Sequence, residues 1–258
     1  MVRRWAGMAA LFCALSACGG SPRPSAPKLL PDLDQVAPRA VSLERRAGRD
    51  VLVFLSAVEN VGRGPLLVSG TRPNTAQDEM SALQLVSRAD GTATAFPLRA
   101  KLRFVVAETH RHWHLLGFES YELRTQAGRP VGRDHKTGFC LGDRYDAHAA
   151  TRLPGEPRDP VWTQECGRGQ GERLRIREGL SVGFGDDYVP RLEGQYIDVT
   201  ALPSGRYVLV HRANPGRDLR EATYLNNAAS ALIEIRRDAR GRMRVAVLSR
   251  CERSARCG

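Results

Sequence analysis

One stretch limits the possible folds more than any other: His110-Arg111-His112-Trp113-His114, which holds three of the six histidines in the chain. An apolar, β-branched segment, Leu102-Arg103-Phe104-Val105-Val106, runs into it. In an extended chain residues i, i+2 and i+4 share a face. A strand here turns all three imidazoles one way and sends Arg111 and Trp113 the other, so that Trp113 is expected in the core behind the run. Neutral imidazole is the commonest protein ligand for copper, zinc and iron. The outer Cα atoms of a straight five-residue strand lie roughly 13 Å apart and metal–nitrogen bonds are about 2 Å. A single ion therefore requires the outer side chains to lean inward or the strand to bend. The competing reading is a polar strand face whose histidines pair with backbone groups.

The rest of the chain reads as β structure. Val51 to Val58 is apolar and β-branched and stops at Gly62 and Gly64. Leu83 to Pro97 reads as a hairpin turning at Ala89-Asp90-Gly91. Phe118 to Leu123 alternates apolar and polar, as a half-buried strand does. Gln195 to Val199, Tyr207 to Val210 after the turn Pro203-Ser204-Gly205, Ala229 to Ile235 and Met243 to Leu248 are further strands. Val131 to about Gly171 is loop-rich, and long loops that persist in compact domains tend to be functional. The fold class expected is all-β, an antiparallel β-sandwich with long loops and few short helices.

The N-terminal stretch reads as an address. Arg3 and Arg4 precede an apolar run, Trp5 to Leu15, too short for a comfortable membrane span. Leu15-Ser16-Ala17-Cys18 resembles a bacterial lipobox, which implies a lipid on Cys18 and anchorage in the cell envelope; Gly19 suits release to an outer membrane. The division expected is residues 1–17 signal peptide, 18–28 lipid anchor and flexible tether, and 29–258 one domain. With Cys13 and Cys18 set aside, four cysteines remain for an oxidising compartment. They allow three pairings, of which Cys140–Cys166 and Cys251–Cys257 are expected. The formal charge of +11 comes from 39 basic residues, but the arginines are scattered and lack interleaved aromatics, which argues against nucleic acid.

Only Lys28, Lys101 and Lys136 are lysines, against 36 arginines. Where arginine replaces lysine so widely, a retained lysine can mark a task that guanidinium cannot perform. An amine sheds its proton and attacks carbon; guanidinium does not. Chance survival is the competing explanation.

His110-Arg111-His112-Trp113-His114 followed by Phe118-Glu119-Ser120-Tyr121-Glu122-Leu123 resembles the copper-binding stretch of the lysyl oxidase family. His135-Lys136-Thr137-Gly138-Phe139-Cys140-Leu141-Gly142-Asp143 resembles the segment with the family's cofactor lysine, and Gly179 to Tyr188 the segment with its cofactor tyrosine. Leu30-Pro31-Asp32-Leu33, Gly194 to Thr200 and Tyr224-Leu225-Asn226-Asn227 are similar to the family's start and ending. The resemblance implies a copper ion on His110, His112 and His114. It further implies a lysyl tyrosylquinone made from Lys136 and Tyr188, and oxidative deamination of primary amines to aldehyde, ammonia and hydrogen peroxide. A quinone carbonyl is attacked by a free amine, and proton removal beside nitrogen calls for a carboxylate base. Asp186, Asp187 and Asp198 are the candidates, with Asp186 preferred. The partner would be a primary amine or a lysine-containing protein. The sequence departs from the animal members at position 107, which is Ala instead of His, and at Asp187, where they carry Thr. Two other functions are weighed: a non-catalytic copper-binding envelope lipoprotein of the same fold, and a zinc hydrolase using Glu108 or Glu119 as acid/base.

Overall fold

The computed structural model describes residues 26–107, 111–136, 138–190, 192 and 194–258. The signal peptide, Cys18 and most of the tether lie outside the described residues, as do Glu108, His110 and Thr137. The described residues form antiparallel strands joined by loops; the few short helices expected from the sequence are not found among them.

Three sheets share one core. The first has seven strands: Gly138–Phe139, Arg111–Leu116, Ala93–Val106, Glu79–Arg88, Leu66–Thr71 and Arg175–Leu180 in spatial order, with Lys28–Leu29 added beside Glu79–Arg88. The second has five: Pro130–Arg133, Glu119–Thr125, Gly205–Ala213, Ala228–Arg237 and Met243–Cys251. The third is built on Arg49–Asn60, which pairs with Phe184–Tyr188, Tyr196–Asp198, Leu33–Gln35 and Arg39–Arg46, with Tyr145–Asp146 beyond Phe184–Tyr188.

Arg49–Asn60 organises the core because it is buried on both faces, as a near-continuous apolar run allows. Its Leu52, Phe54 and Val58 pack in one cluster with Leu66, Met80, Leu102, Trp113 and Leu115 of the first sheet and Tyr121, Leu123, Leu209 and Ile233 of the second. Full burial of each such side chain is worth about 1.5–3 kcal/mol. The hairpin read at Ala89-Asp90-Gly91 is present, with Asp90 Oδ1 accepting from the Thr92 N–H at 3.0 Å.

Both expected disulfides form, Cys140–Cys166 and Cys251–Cys257. The first brackets the long loop, whose fold is held by Asp143: its carboxylate accepts from the N–H groups of Val161 (2.8 Å), Trp162 (3.1 Å) and Ser181 (2.8 Å). Several strands emerge that the sequence alone did not reveal, among them Arg39–Arg46, Leu66–Thr71, Arg175–Leu180 and Phe184–Tyr188.

Candidate functional site

The strand Arg111–Leu116 alternates as its sequence demands. Trp113 is fully buried and meets Phe104 at 5.6 Å between ring centroids, while its indole N–H donates to the Gln170 carbonyl at 3.1 Å. Behind it Arg72 is buried, its guanidinium 4.8 Å from the Trp113 ring and its N–H groups donating to the carbonyls of Gln77, Gly171 and Arg173. His112 and His114 turn the other way, with ring centroids 4.7 Å apart, and both line a pocket of about 270 Å³. The Trp113 N–H donates to the Cys166 carbonyl at 3.0 Å, which ties this strand to the disulfide-bracketed loop.

Lys136 enters the same pocket from the loop before Gly138–Phe139. Two glycines allow that loop to lie so close. A Cβ on Gly138 would stand 2.7 Å from His114 Cβ. Gly194, at φ +73°, would carry a Cβ 2.8 Å from Lys136 Cα, and its carbonyl accepts the His135 N–H at 3.0 Å. Only glycine takes that left-handed backbone without steric cost. His135 thus helps fix the loop, its ring 5.2 Å from that of Tyr196.

Tyr188 comes from a third direction, on Phe184–Tyr188, and is buried. Lys136 Nζ lies 5.6 Å from the Tyr188 ring centroid and 4.9 Å from that of Phe139. The Tyr188 hydroxyl donates to Asp186 Oδ2 at 2.5 Å. Burial and the neighbouring Asp186 and Glu119 carboxyls hold the Tyr188 phenol well above its ordinary value.

Asp186 is fully buried, and loss of solvent lifts its carboxyl to about 7 against the opposing pull of Tyr188, Arg144 and the Gly142 N–H. Arg144 Nε stands 3.4 Å from Asp186 Oδ1, and Arg144 Nη2 donates to Cys140 Sγ at 3.4 Å. Oδ1 makes no well-aligned hydrogen bond, so the guanidinium acts on it as a charge. A fully buried carboxyl poised near neutrality beside a phenol is equipped to accept a proton.

The other carboxylate candidates sit differently. Asp187 lines the pocket and is half-buried. Asp198 is engaged at the surface by Thr200 and Arg49, and those hydrogen bonds hold it below the usual carboxylate range. His148 is half-buried, and His211 is fully buried against Phe54 and Tyr121. Burial pushes the His211 imidazole down to about 3, so it stays neutral.

The sequence reading missed Arg144, and it raised the buried carboxyl Glu119 only as a possible acid/base of a zinc site. The second left a trace: with period-2 alternation Glu119 shares its face with Tyr121 and Leu123, and an acid on an apolar face is unusual. Glu178, also fully buried and lifted well above its ordinary value by desolvation, lies with Cys140 and Cys166 in a group whose potential ligand atoms fall within 4.8 Å. The two sulfurs are bonded to each other, so that group holds no metal in this oxidised state.

Two imidazoles on one pocket wall suit a copper or zinc ion, and a primary amine over a phenol ring suits a cofactor made from the two. Comparison with known proteins points the same way. The family model described as lysyl oxidase matches residues 69–245. Lysyl oxidase homolog 3A of Danio rerio is 29% identical over 143 residues, covering 54% of this chain and 17% of the relative. Lysyl oxidase homolog 2A of the same fish is 30% identical over 125 residues, covering 46% and 14%. Lysyl oxidase homolog 3 of Homo sapiens is 28% identical over 143 residues, covering 54% and 16%. The chain thus matches under a fifth of the length of these relatives. With more than half of its residues under the family model, the chain belongs to the lysyl oxidase family.

Proposed function

We propose that this protein is a copper- and quinone-dependent amine oxidase, which deaminates primary amines to aldehyde and releases ammonia and hydrogen peroxide. One observation carries the reading: Lys136 Nζ lies 5.6 Å from the Tyr188 ring in a pocket also lined by His112, His114 and Asp186. A module that merely stored copper would need neither the amine nor the phenol, and a hydrolase would not need them side by side. Copper would be held by His110, His112 and His114 and would supply the one-electron oxygen chemistry by which the Tyr188 ring becomes a quinone joined to Lys136.

The chain's own residues have separate tasks. Asp186 Oδ2 is the base: it already accepts one proton-bearing group, the Tyr188 hydroxyl, and its near-neutral titration lets it take a proton and return it. Arg144 keeps Asp186 ionisable despite its burial. The Phe139 ring beneath the Lys136 ammonium, with Leu192 at the pocket wall, limits water around the reacting groups. Attachment to the cell envelope through a lipid on Cys18 belongs to the same proposal, and the mass of the mature N-terminus tests it.

The decisive experiment is peptide mapping after aerobic copper loading. Recovery of Lys136 and Tyr188 in one cross-linked fragment that reacts with phenylhydrazine supports the oxidase. Recovery of the two residues in separate, unmodified fragments, with copper still bound, overturns it in favour of the non-catalytic copper lipoprotein. A screen of free amines and lysyl peptides for peroxide release would then identify the substrate.

A further inference from the structure

The Cys140–Cys166 bridge sits in the wall of the candidate active site, and its two sulfurs keep different company. Cys140 lines the pocket beside His112, His114 and Tyr188, and its carbonyl lies 3.4 Å from the Tyr188 hydroxyl. Its Sγ accepts a hydrogen bond from Arg144 Nη2 at 3.4 Å. Cys166 stands behind it, outside the pocket lining, with Sγ 3.5 Å from the Leu141 carbonyl oxygen. Glu178 completes the group. One of its carboxyl oxygens falls within 4.8 Å of both sulfurs, and its Oε2 accepts the Leu141 N–H at 3.4 Å.

A guanidinium beside a sulfur favours its thiolate. That sulfur becomes the nucleophile of an opened bridge and the better leaving group of a closed one. A carbonyl acts the other way: it accepts from S–H and keeps the neutral thiol. Asp186 competes for Arg144, but through Nε at 3.4 Å, which leaves Nη2 to the sulfur. Glu178 adds no opposing charge, because loss of solvent holds its carboxyl well above the ordinary range. The second bridge shows the contrast. There Cys257 Sγ meets the neutral Ser249 hydroxyl at 3.3 Å, where Cys140 has a cation. Closing a loop stabilises a fold whichever sulfur faces a cavity, so a bridge that only fastens the chain has no need of this asymmetry.

We propose that Cys140 and Cys166 form a thiol peroxidase pair, a second activity in the same pocket: once an external dithiol opens the bridge, Cys140 reduces hydrogen peroxide and Cys166 closes the bridge again. This rests on the oxidase reading for the local source of peroxide, though not for its chemistry or its test. The Cys140 thiolate attacks one peroxide oxygen. The O–O bond breaks, the sulfur gives up two electrons and becomes a sulfenic acid, and the departing hydroxide takes a proton from solvent to leave as water. The Cys166 sulfur then displaces the hydroxyl from Cys140. The S–O bond breaks, the S–S bond forms, and the thiol proton leaves with the hydroxyl as a second water. The dithiol returns two electrons and two protons to the pair and becomes a disulfide itself. The bonded sulfurs of this structure are the oxidised end of that cycle.

The test uses the full metal-free chain with no amine present, so that oxidase turnover plays no part. Dithiothreitol without denaturant should open Cys140–Cys166, scored by alkylation and peptide mapping. After anaerobic removal of the dithiol, added hydrogen peroxide should close the bridge about tenfold or more faster than it oxidises glutathione at the same pH. Arg144→Gln should slow closure by about tenfold. In reduced Cys166→Ser, peroxide with dimedone should place the adduct on Cys140, while reduced Cys140→Ser should place none on Cys166. A bridge that resists dithiothreitol in the folded chain, or an adduct on Cys166 in place of Cys140, overturns the proposal. Should the variants fail to fold, the unaltered chain still decides: closure no faster than glutathione oxidation overturns it. Failure of the oxidase reading would show separately, as copper-loaded chain that forms no Lys136–Tyr188 cross-link while its Cys140 still consumes added peroxide.

Discussion

The Tyr188 hydroxyl donates to Asp186 Oδ2 at 2.5 Å, two residues back on the same strand, with both side chains buried. Residues i and i+2 of a strand share a face, so the sequence Asp186-Asp187-Tyr188 delivers an acid and a phenol to one point, with Asp187 half-buried at the lining of the same pocket. Asp186→Asn should therefore retain copper and fold while losing about 10²–10⁴-fold in amine turnover, the usual worth of a general base. The direction with pH follows. A base works deprotonated, and Asp186 is lifted to about 7, so kcat/KM should rise through neutrality and level off above it. That limb should vanish in the Asn variant. Turnover that keeps both its rate and its acid limb in Asp186→Asn would move the role to another group.

Lys136→Arg and Tyr188→Phe probe the other pair. Each should bind copper as the parent does, because neither is among the imidazoles, and each should fail to develop the visible absorbance and the phenylhydrazine adduct. Tyr188→Phe also leaves the buried Asp186 Oδ2 without its hydroxyl donor, which costs about 1–3 kcal/mol of stability. Titration with copper alongside denaturant unfolding separates the two effects. An absorbing, hydrazine-reactive Lys136→Arg protein would remove the amine from the chemistry.

How far the site could be read in advance depended on whether its cause was local. The alternation of His112, Trp113 and His114 is a property of five residues, and the strand obeys it. The run Val51 to Val58 and the hairpin at Ala89-Asp90-Gly91 were legible for the same reason. Phe184–Tyr188 was not. Gly185, Asp186 and Asp187 are poor strand formers by propensity. They become a strand by pairing with Glu59, Val58 and Ala57, more than a hundred residues earlier. Arg144 likewise gains its meaning from Asp186, which the chain delivers from a different strand. Resemblance could identify Lys136 and Tyr188 as partners, but the glycines that let the lysine loop approach, Gly138 and Gly194, acquire their role only in three dimensions.

The Cys140–Cys166 bridge spans 26 residues and joins the lysine segment to the backbone that supports Trp113. Chain-entropy arithmetic for a loop of that size gives about 3.5 kcal/mol. Replacing both cysteines by serine should lower the unfolding free energy by roughly that amount, read from the shift of the denaturant midpoint. Because Cys140 lines the pocket and its carbonyl lies 3.4 Å from the Tyr188 hydroxyl, the same change should also slow cross-link formation in protein that is still folded. The double variant compared with its parent under non-reducing conditions checks this. An unchanged cross-linking rate would reduce the bridge to a stabiliser.

Stability should run against pH in an unusual direction for a basic protein. Burial, as the leading cause, lifts Asp134 to about 6, Asp186 and Glu221 to about 7, and Glu119 to about 8, from ordinary values of 3.8 for Asp and 4.5 for Glu. The folded chain holds these protons to higher pH than the unfolded chain does. Their contribution is therefore full below about pH 4 and is lost as pH rises through 6 to 8. His211 has the opposite sign: pushed down to about 3 from 6.5, it stabilises the fold above neutrality and withdraws that support as pH falls. The two trends meet on the acid side of neutral, so the Tm of the metal-free protein should decline steadily from pH 6.5 to 9. Glu119→Gln removes the highest of these four carboxyls and should flatten the upper part of that decline. A Tm that stays level or climbs over this interval would mean that these carboxyls are ionised in the fold, and with that the proton-accepting role assigned to Asp186 would lose its physical basis.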